Sequence, residues 1–401
     1  MTLSPAHAPA AGVRRLTATL YGYAFLDDFV LLYPVYALLF ADTGLSLWQI
    51  SSLFALWSLT GVLLEVPSGA WADAFSRRLL LWLGPLLTAA GFALWTLFPS
   101  YAAFAAGFVL WGAGGALGSG ALEALVYEEL DRLGAADRYA RVLGRAHAAR
   151  LLATVSAVGV AGPVFAEGGY AVVGAASVLA ALLTAATATR FPEHRKPASA
   201  GDGWVTTLRS GLAAARGDRS LRGALLLVPA VGAVWGALDE YTPLLVRETG
   251  VPDGLVPYLI MLIWAGATAG SLLAGRAAGL GAKGLAGVLA GAALALAVGA
   301  GAGTAVGLGL VALAFGGFQL ATILADVRLQ HRVEDGERAT LTSLAGLGTE
   351  LATITVYGGY AALGDTAAHG TVFTLFALPY LVTALLLTRT GPRSGPGPAR
   401  G

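Results

Sequence analysis

Long apolar stretches, interrupted at short intervals by small knots of charge, set the pattern of this chain. Twelve of them can be drawn, near residues 17–40, 48–70, 79–98, 101–125, 146–166 and 170–190, then 223–246, 254–279, 283–300, 304–326, 339–362 and 369–389. About 20 helical residues cross the hydrocarbon of a bilayer, and each stretch is near that length. Lone Gly and Pro inside them are no obstacle, because membrane helices tolerate both. The pattern predicts an all-α membrane protein of twelve transmembrane helices.

Composition strengthens this reading. Of 401 residues, 56% are hydrophobic and only 12% are charged, where a soluble domain carries about 25% charged residues. A soluble core of this size would have too little polar surface to cover itself. The net charge of +1 gives no electrostatic case for nucleic acid. The absence of cysteine excludes disulfides, thiol catalysis and thiolate metal sites. No nucleophile, base and orienting group occur together, so an enzyme is not expected, and neither a metal site nor a cofactor is implied. The first stretch runs too long and too aromatic for a cleaved signal peptide and should remain as the first helix.

Basic residues orient the helices. If the N-terminus is cytoplasmic, the inside segments hold Arg14, Arg15, Arg77, Arg78, the run "DRLGAADRYARVLGR", the 190–222 segment, Arg276, Lys283, the 328–338 loop and the tail. Arg247 alone of the 25 Lys and Arg residues then falls outside, which is the bias of the positive-inside rule. Both termini are expected in the cytoplasm.

The longest polar segment divides the chain into a six-helix half (1–190), a cytoplasmic linker (191–222) and a second six-helix half with a short tail (223–401). At an offset of 206, "LLFADTGL" (38–45) meets "LLVRETGV" (244–251), Gly69 meets Gly275 and Arg77 meets Lys283. At an offset of 200, "DRYA" (137–140) meets "ERAT" (337–340). Several matches in order at nearly one spacing argue for duplicated halves.

The knot "GAWADAFSRR" (69–78) resembles the signature of the major facilitator superfamily between its second and third helices, Gly-x-x-x-Asp-Arg-x-Gly-Arg-Arg. Gly69, Asp73, Arg77 and Arg78 match in register, while Ala74 and Ser76 depart from it. Two parallel six-helix repeats across a linker are also that superfamily's layout. The resemblance implies alternating access and a conformational latch. In it Gly69 admits a close neighbour, Asp73 accepts at a helix N-terminus, and the arginines pair with acids across the interface of the halves. A second element, "GVAGPVFAEGG" (159–169), is similar to the helix-five motif of bacterial drug/proton antiporters at Gly162 and Pro163; the closing Gly168-Gly169 pair is displaced by two. Helix four has no basic residue, with Phe108 in the register where such antiporters often carry arginine.

Ionisable groups within apolar stretches cost roughly 2.5–3.5 kcal/mol each on insertion scales, so each asks for a reason. Asp27 and Asp28 lie on helix one, and Asp239 and Glu240 on helix seven. Glu65, Glu123, Asp326 and Glu350 add more acid, against His147 and Arg150 on helix five. Glu65 could partner Arg77 or Arg150, and Glu123 and Asp326 could serve only to pair with loop arginines. A carboxyl group in an apolar site can bind and release protons near neutrality, so coupling or substrate binding is expected at Asp28, Asp239, Glu240, Asp27, Glu65, Glu123 and Glu350. Phe25, Phe29, Tyr33 and Tyr36 recur at helical spacing and form either a stacking stripe or packing surface; Trp57, Trp235 and Trp264 are open in the same way. Glycine pairs four apart (Gly114/Gly118, Gly232/Gly236, Gly266/Gly270) suggest close helix contacts.

These observations predict a proton-coupled secondary transporter that exports a lipophilic, cationic small molecule. Uptake of a nutrient or metal chelate is the alternative within transport, and a non-transporting receptor or scaffold the alternative outside it. Arginine outnumbers lysine 23 to 2 amid heavy Ala and Gly, which points to a GC-rich bacterial genome and a multi-pass protein of the inner membrane. The expected partners are a small-molecule substrate, protons and the lipid bilayer, with no nucleic acid and no second subunit.

Overall fold

The computed structural model describes residues 7–194, 219–332, 338–364 and 366–390; the side chains of 7–10, 65–74, 219, 220, 338–340 and 390 lie outside the described residues. All regular structure in these residues is helical. The first compact unit comprises Met1–Asp202 with Pro252–Tyr258, the second Gly203–Val251 with Leu259–Gly401. The first contains α1 (His7–Asp28), α2 (Tyr36–Asp42), α3 (Leu47–Ala74), α4 (Arg77–Leu97), α5 (Tyr101–Gly118), α6 (Ala121–Arg132) and α7 (Tyr139–Ala188). The second contains α8 (Arg219–Asp239), α9 (Thr242–Glu248), α10 (Val256–Ala277) from Leu259 onward, α11 (Ala282–Gly301), α12 (Leu308–Gln330), α13 (Arg338–Gly364), α14 (His369–Leu375) and α15 (Leu378–Thr390).

Among the described residues, nine helical stretches are long and apolar enough to cross a membrane. One of them, Ala136–Ala188, has 53 residues, far beyond the length of a single crossing. It is broken at Gly169, whose φ of 58° only glycine adopts without strain. The Gly168-Gly169 pair is thus the turn between helices five and six. The helices α1 and α13 reach spanning length, with 22 and 27 residues, without comparable hydropathy.

Four of the expected helices are interrupted. The first, drawn unbroken over 17–40, stops at Asp28 and resumes at Tyr36. The fourth breaks at Gly120 (φ 71°), the seventh between Asp239 and Thr242, and the last between Leu375 and Leu378. Apolar periodicity does not reveal such breaks, because the segments around them stay apolar enough to read as continuous helix. The stripe from Phe25 to Tyr36 is therefore not continuous. Phe25 stacks on Phe29, Tyr33 stacks on Trp111, and Tyr36 enters a ring cluster with Phe40, Phe54 and Trp95.

The duplication is visible in local structure. At an offset of 206, α2 and α9 have identical length, seven residues each. Each is followed by a C-capping threonine and then a left-handed glycine, Gly44 (φ 85°) and Gly250 (φ 81°), the residue that terminates helices at least cost. The last residue of each is an acid that grips a later helix of its own half. Asp42 accepts from the Tyr170 hydroxyl at 2.6 Å, and Glu248 accepts from the amides of His369 and Gly370 at 3.0 and 2.7 Å. Those partners are again about 200 residues apart.

Small residues fix the helix spacing. In the first unit a Cβ at Gly84 would stand 2.7 Å from the Gly114 carbonyl, and one at Gly91 would stand 2.8 Å from that of Gly107. In the second, Cβ atoms at Gly266 and Gly270 would strike the carbonyls of Ala312 and Gly316. A Cβ at Gly118 or Gly236 would meet nothing within 4 Å among the described residues, so no close contact is made there by them. Gly270→Val should therefore part α10 from α12 at a cost of roughly 1–3 kcal/mol. A thermal melt should show a clear loss for this variant and little change for Gly236→Ala.

Candidate functional site

The helical break after Asp28 leaves two adjacent carboxylates at the C-terminal end of α1, where the macrodipole disfavours negative charge. The first unit supplies a cation. Arg150 of α7 lies with Nη2 3.2 Å from Asp27 Oδ2 and Nη1 3.6 Å from Asp28 Oδ2. The guanidinium side chain remains 33% exposed, because all three residues line a cavity of about 550 Å³. That volume lies within the range of small-molecule sites. Glu123, His147, Thr88 and Thr154 line it too, as do Tyr33 and Trp111, whose stacked rings (22° apart) form one wall. Three carboxylates thus face one guanidinium and the His147 imidazole.

The second unit repeats the motif of acids at a helix end with different company. Asp239 closes α8 and Glu240 stands in the turn before α9. The Trp264 indole N–H donates to Asp239 Oδ1 at 3.0 Å. The Thr242 hydroxyl donates to the Asp239 carbonyl at 2.7 Å, which fixes the backbone of the turn. Among the described residues neither acid forms an ion pair, and no hydrogen bond is made by the Glu240 side chain. An acid without a cation in apolar surroundings is chemically equipped to exchange a proton.

A third cluster gathers where α3 turns into α4. Ser76, which departs from the glycine of the signature, N-caps α4 by accepting from Leu79 N–H at 3.1 Å and donates to Glu193 at 2.5 Å. The other oxygen of Glu193 accepts from Arg77 N–H at 2.7 Å, at a helix N-terminus that favours an anion. Arg77 Nη1 lies 2.7 Å from Glu128 Oε2 of α6, close in charge but outside the alignment of a good hydrogen bond. Arg78 reaches the Phe191 carbonyl at 3.5 Å. Next to Glu128, the buried Glu129 accepts from Arg132, His194 N–H and the His194 ring. The second unit mirrors this turn, with Arg328 of α12 donating to the carbonyls of Leu280 and Gly281 at 2.7 and 3.0 Å.

A sequence model described as "Major Facilitator Superfamily" matches residues 17–357. The chain belongs to that superfamily. Solved structures share its fold at low identity. A mutant of the nucleoside transporter NupG is 13% identical, with 94% of this chain and 100% of that chain covered and a TM-score of 0.78. A bacterial homolog of the human lysosomal transporter Spinster is 15% identical, covering 97% and 96%, with a TM-score of 0.67. A D-xylose–proton symporter is 15% identical, covering 95% and 98%, with a TM-score of 0.68. No curated protein matches the sequence significantly.

On the major facilitator frame, the structure brings Asp27, Asp28 and Glu123 to one cavity; Glu350 lies on α13 of the second unit and is not among the residues that line it. The side chains of Glu65, Gly69 and Asp73 lie outside the described residues. Arg77 meets Glu128 within its own unit, and Arg150 meets Asp27 and Asp28. A buried arginine takes the nearest fixed carboxylate, and α6 presents one. Gly162 is a site of close approach, where a Cβ would stand 2.8 Å from the Tyr258 ring and 2.9 Å from the Gly254 carbonyl; Pro163 follows it inside α7. Phe108 is fully buried among Phe40, Trp95 and Trp111, so that register is packing. Sequence reasoning missed Glu128, Glu129, Glu193 and the Trp264 bond. The acid pair beside "DR" at the end of helix four was a usable signal for the first two; Glu193, 116 residues from Arg77, offered none.

Proposed function

We propose that this transporter couples proton movement to the export of a lipophilic, cationic small molecule by alternating access. The observation that carries the reading is the first-unit cavity, which sets three carboxylates and a stacked Tyr33–Trp111 wall against a single guanidinium. Such a site attracts positive charge and offers π-faces to a flat or cationic group. Asp239 and Glu240 supply carboxyl groups that pair with no cation among the described residues, as coupling requires. The charged turn around Arg77 serves as a latch whose partners change during the cycle, and Asp73 belongs to it by its place in the signature. A monomer in a bacterial inner membrane, with both termini cytoplasmic, completes the reading.

Cells expressing the protein should accumulate less of a susceptible organic cation, and a protonophore should abolish the difference. Energy-dependent accumulation would instead support uptake. That second reading is favoured by the polar side of the same cavity, where Arg150, His147 and two threonines could serve a hydrogen-bonding solute. The structurally similar nucleoside transporter and D-xylose–proton symporter carry such solutes.

The latch has its own test. Single cysteines placed in the 75–76 turn report accessibility cleanly in a chain without native cysteine. Arg77→Ala should raise their modification rate several-fold and slow transport, with insertion intact. An unchanged rate would reduce the cluster to an anchor.

A further inference from the structure

Adjacent carboxylates at the end of α8 differ in one respect, and the difference comes from another helix. Asp239 is the last helical residue, and its backbone carbonyl is tied to Thr242. Its side chain meets the Trp264 indole N–H at 3.0 Å. Indole is a donor only, so the contact requires a carboxyl lone pair, and an ionised carboxylate offers the strongest one. Trp264 is itself held in place. Two and six residues further along α10, Gly266 and Gly270 seat against the backbone of α12 with no room for a Cβ. One turn on, the Thr268 hydroxyl donates to the Trp264 carbonyl at 2.9 Å. The donor is therefore delivered by a helix that cannot slide without parting from its neighbour.

Glu240 has no such tether. It stands outside the helix in a two-residue turn, and among the described residues its carboxylate has neither an ion pair nor a hydrogen bond. The helices packed on α8 bring Asp326 and Arg328 (α12), Glu350, Tyr357 and Tyr360 (α13), and Tyr380 and Arg389 (α15). Of these, Arg328 is committed to loop carbonyls and Tyr380 to the backbone of Trp235 and Val231. Tyr360 is committed to His369. None of the seven pairs with Glu240.

We propose that Trp264 is a positioning residue that divides the labour of the two acids, holding Asp239 as a fixed acceptor and leaving Glu240 as the carboxyl group that takes up and releases the proton. This rests on the proton-coupled reading above, because a protein without coupling would have no use for the division.

The test is chemical and does not depend on transport. A membrane-permeant carbodiimide attacks protonated carboxyl groups in apolar surroundings, and peptide mass spectrometry of the full-length purified protein locates the adduct. In the wild type Glu240 should label several-fold faster than Asp239. Trp264→Phe keeps the aromatic bulk and removes the donor; it should raise Asp239 labelling several-fold with Glu240 unchanged. Equal labelling of the two acids in the wild type would overturn the proposal without recourse to any variant. So would an unchanged ratio in a folded Trp264→Phe protein. Proton-driven flux, measured on the same preparation, separates the two claims: if labelling follows expectation but flux ignores the pH gradient, the positioning stands and the coupling reading falls.

Discussion

Replacing Glu240 by glutamine is expected to reduce proton-driven flux to the background of empty vesicles while leaving exchange of substrate down its own gradient. The amide keeps the shape and the hydrogen-bonding capacity of the side chain but fixes its charge at zero. A carboxyl group that carries the coupling proton must change ionisation in each cycle, whereas a structural one keeps one partner throughout. Glu240 has no partner among the described residues, so its removal leaves no cation stranded and the fold should survive. The measurement is net flux under an imposed pH gradient beside gradient-free counterflow in proteoliposomes. Full gradient-driven flux in the variant would move the coupling site to Asp239 or Glu350. The Asp27–Asp28 pair is a weaker candidate, because Arg150 already sits between its carboxylates.

Arg150→Ala has the second large effect. It leaves Asp27 and Asp28 adjacent, without a cation, at the negative end of a helix. Stranding a fully buried ion-pair partner costs several kcal/mol; with the arginine a third exposed to the cavity, roughly 1–3 kcal/mol is expected after allowing for solvent screening. A thermal melt should show that loss, and Asp27→Asn in the same background should recover part of it, since residues in one network couple. The effect on binding has the opposite sign for a cationic substrate. The guanidinium occupies the place that such a substrate's charge would take, so affinity should rise several-fold once it is gone. A substrate with an anionic group would lose affinity instead. The same variant therefore reports the sign of the substrate's charge.

What the sequence discloses and what it hides follow physical lines. Apolar length reveals helices because the hydrocarbon thickness imposes it, and the offset-206 match revealed a duplication that reappears as α2 and α9 with their capping glycines. Pairing is harder. Asp27, Asp28 and Arg150 were all visible as costly charges, yet nothing in their spacing says that α7 brings Arg150 to α1. Breaks are hidden for a different reason. The segment between Asp28 and Tyr36 is as apolar as a helix, and its geometry depends on partners such as Ser177, whose hydroxyl accepts from Leu32 N–H at 3.1 Å. The signature around Arg77 was legible as a motif, but the acid that meets it lies on α6, and the acid that caps it follows α7.

The most direct test of a proton-coupled cation exporter is proton release by the purified protein in lightly buffered detergent solution, followed with a pH indicator as an organic cation is added. Binding of the cation should expel protons from the wild type, and the release should disappear in Glu240→Gln. Saturable binding of the cation with no proton release, or release undiminished in Glu240→Gln, would contradict the account.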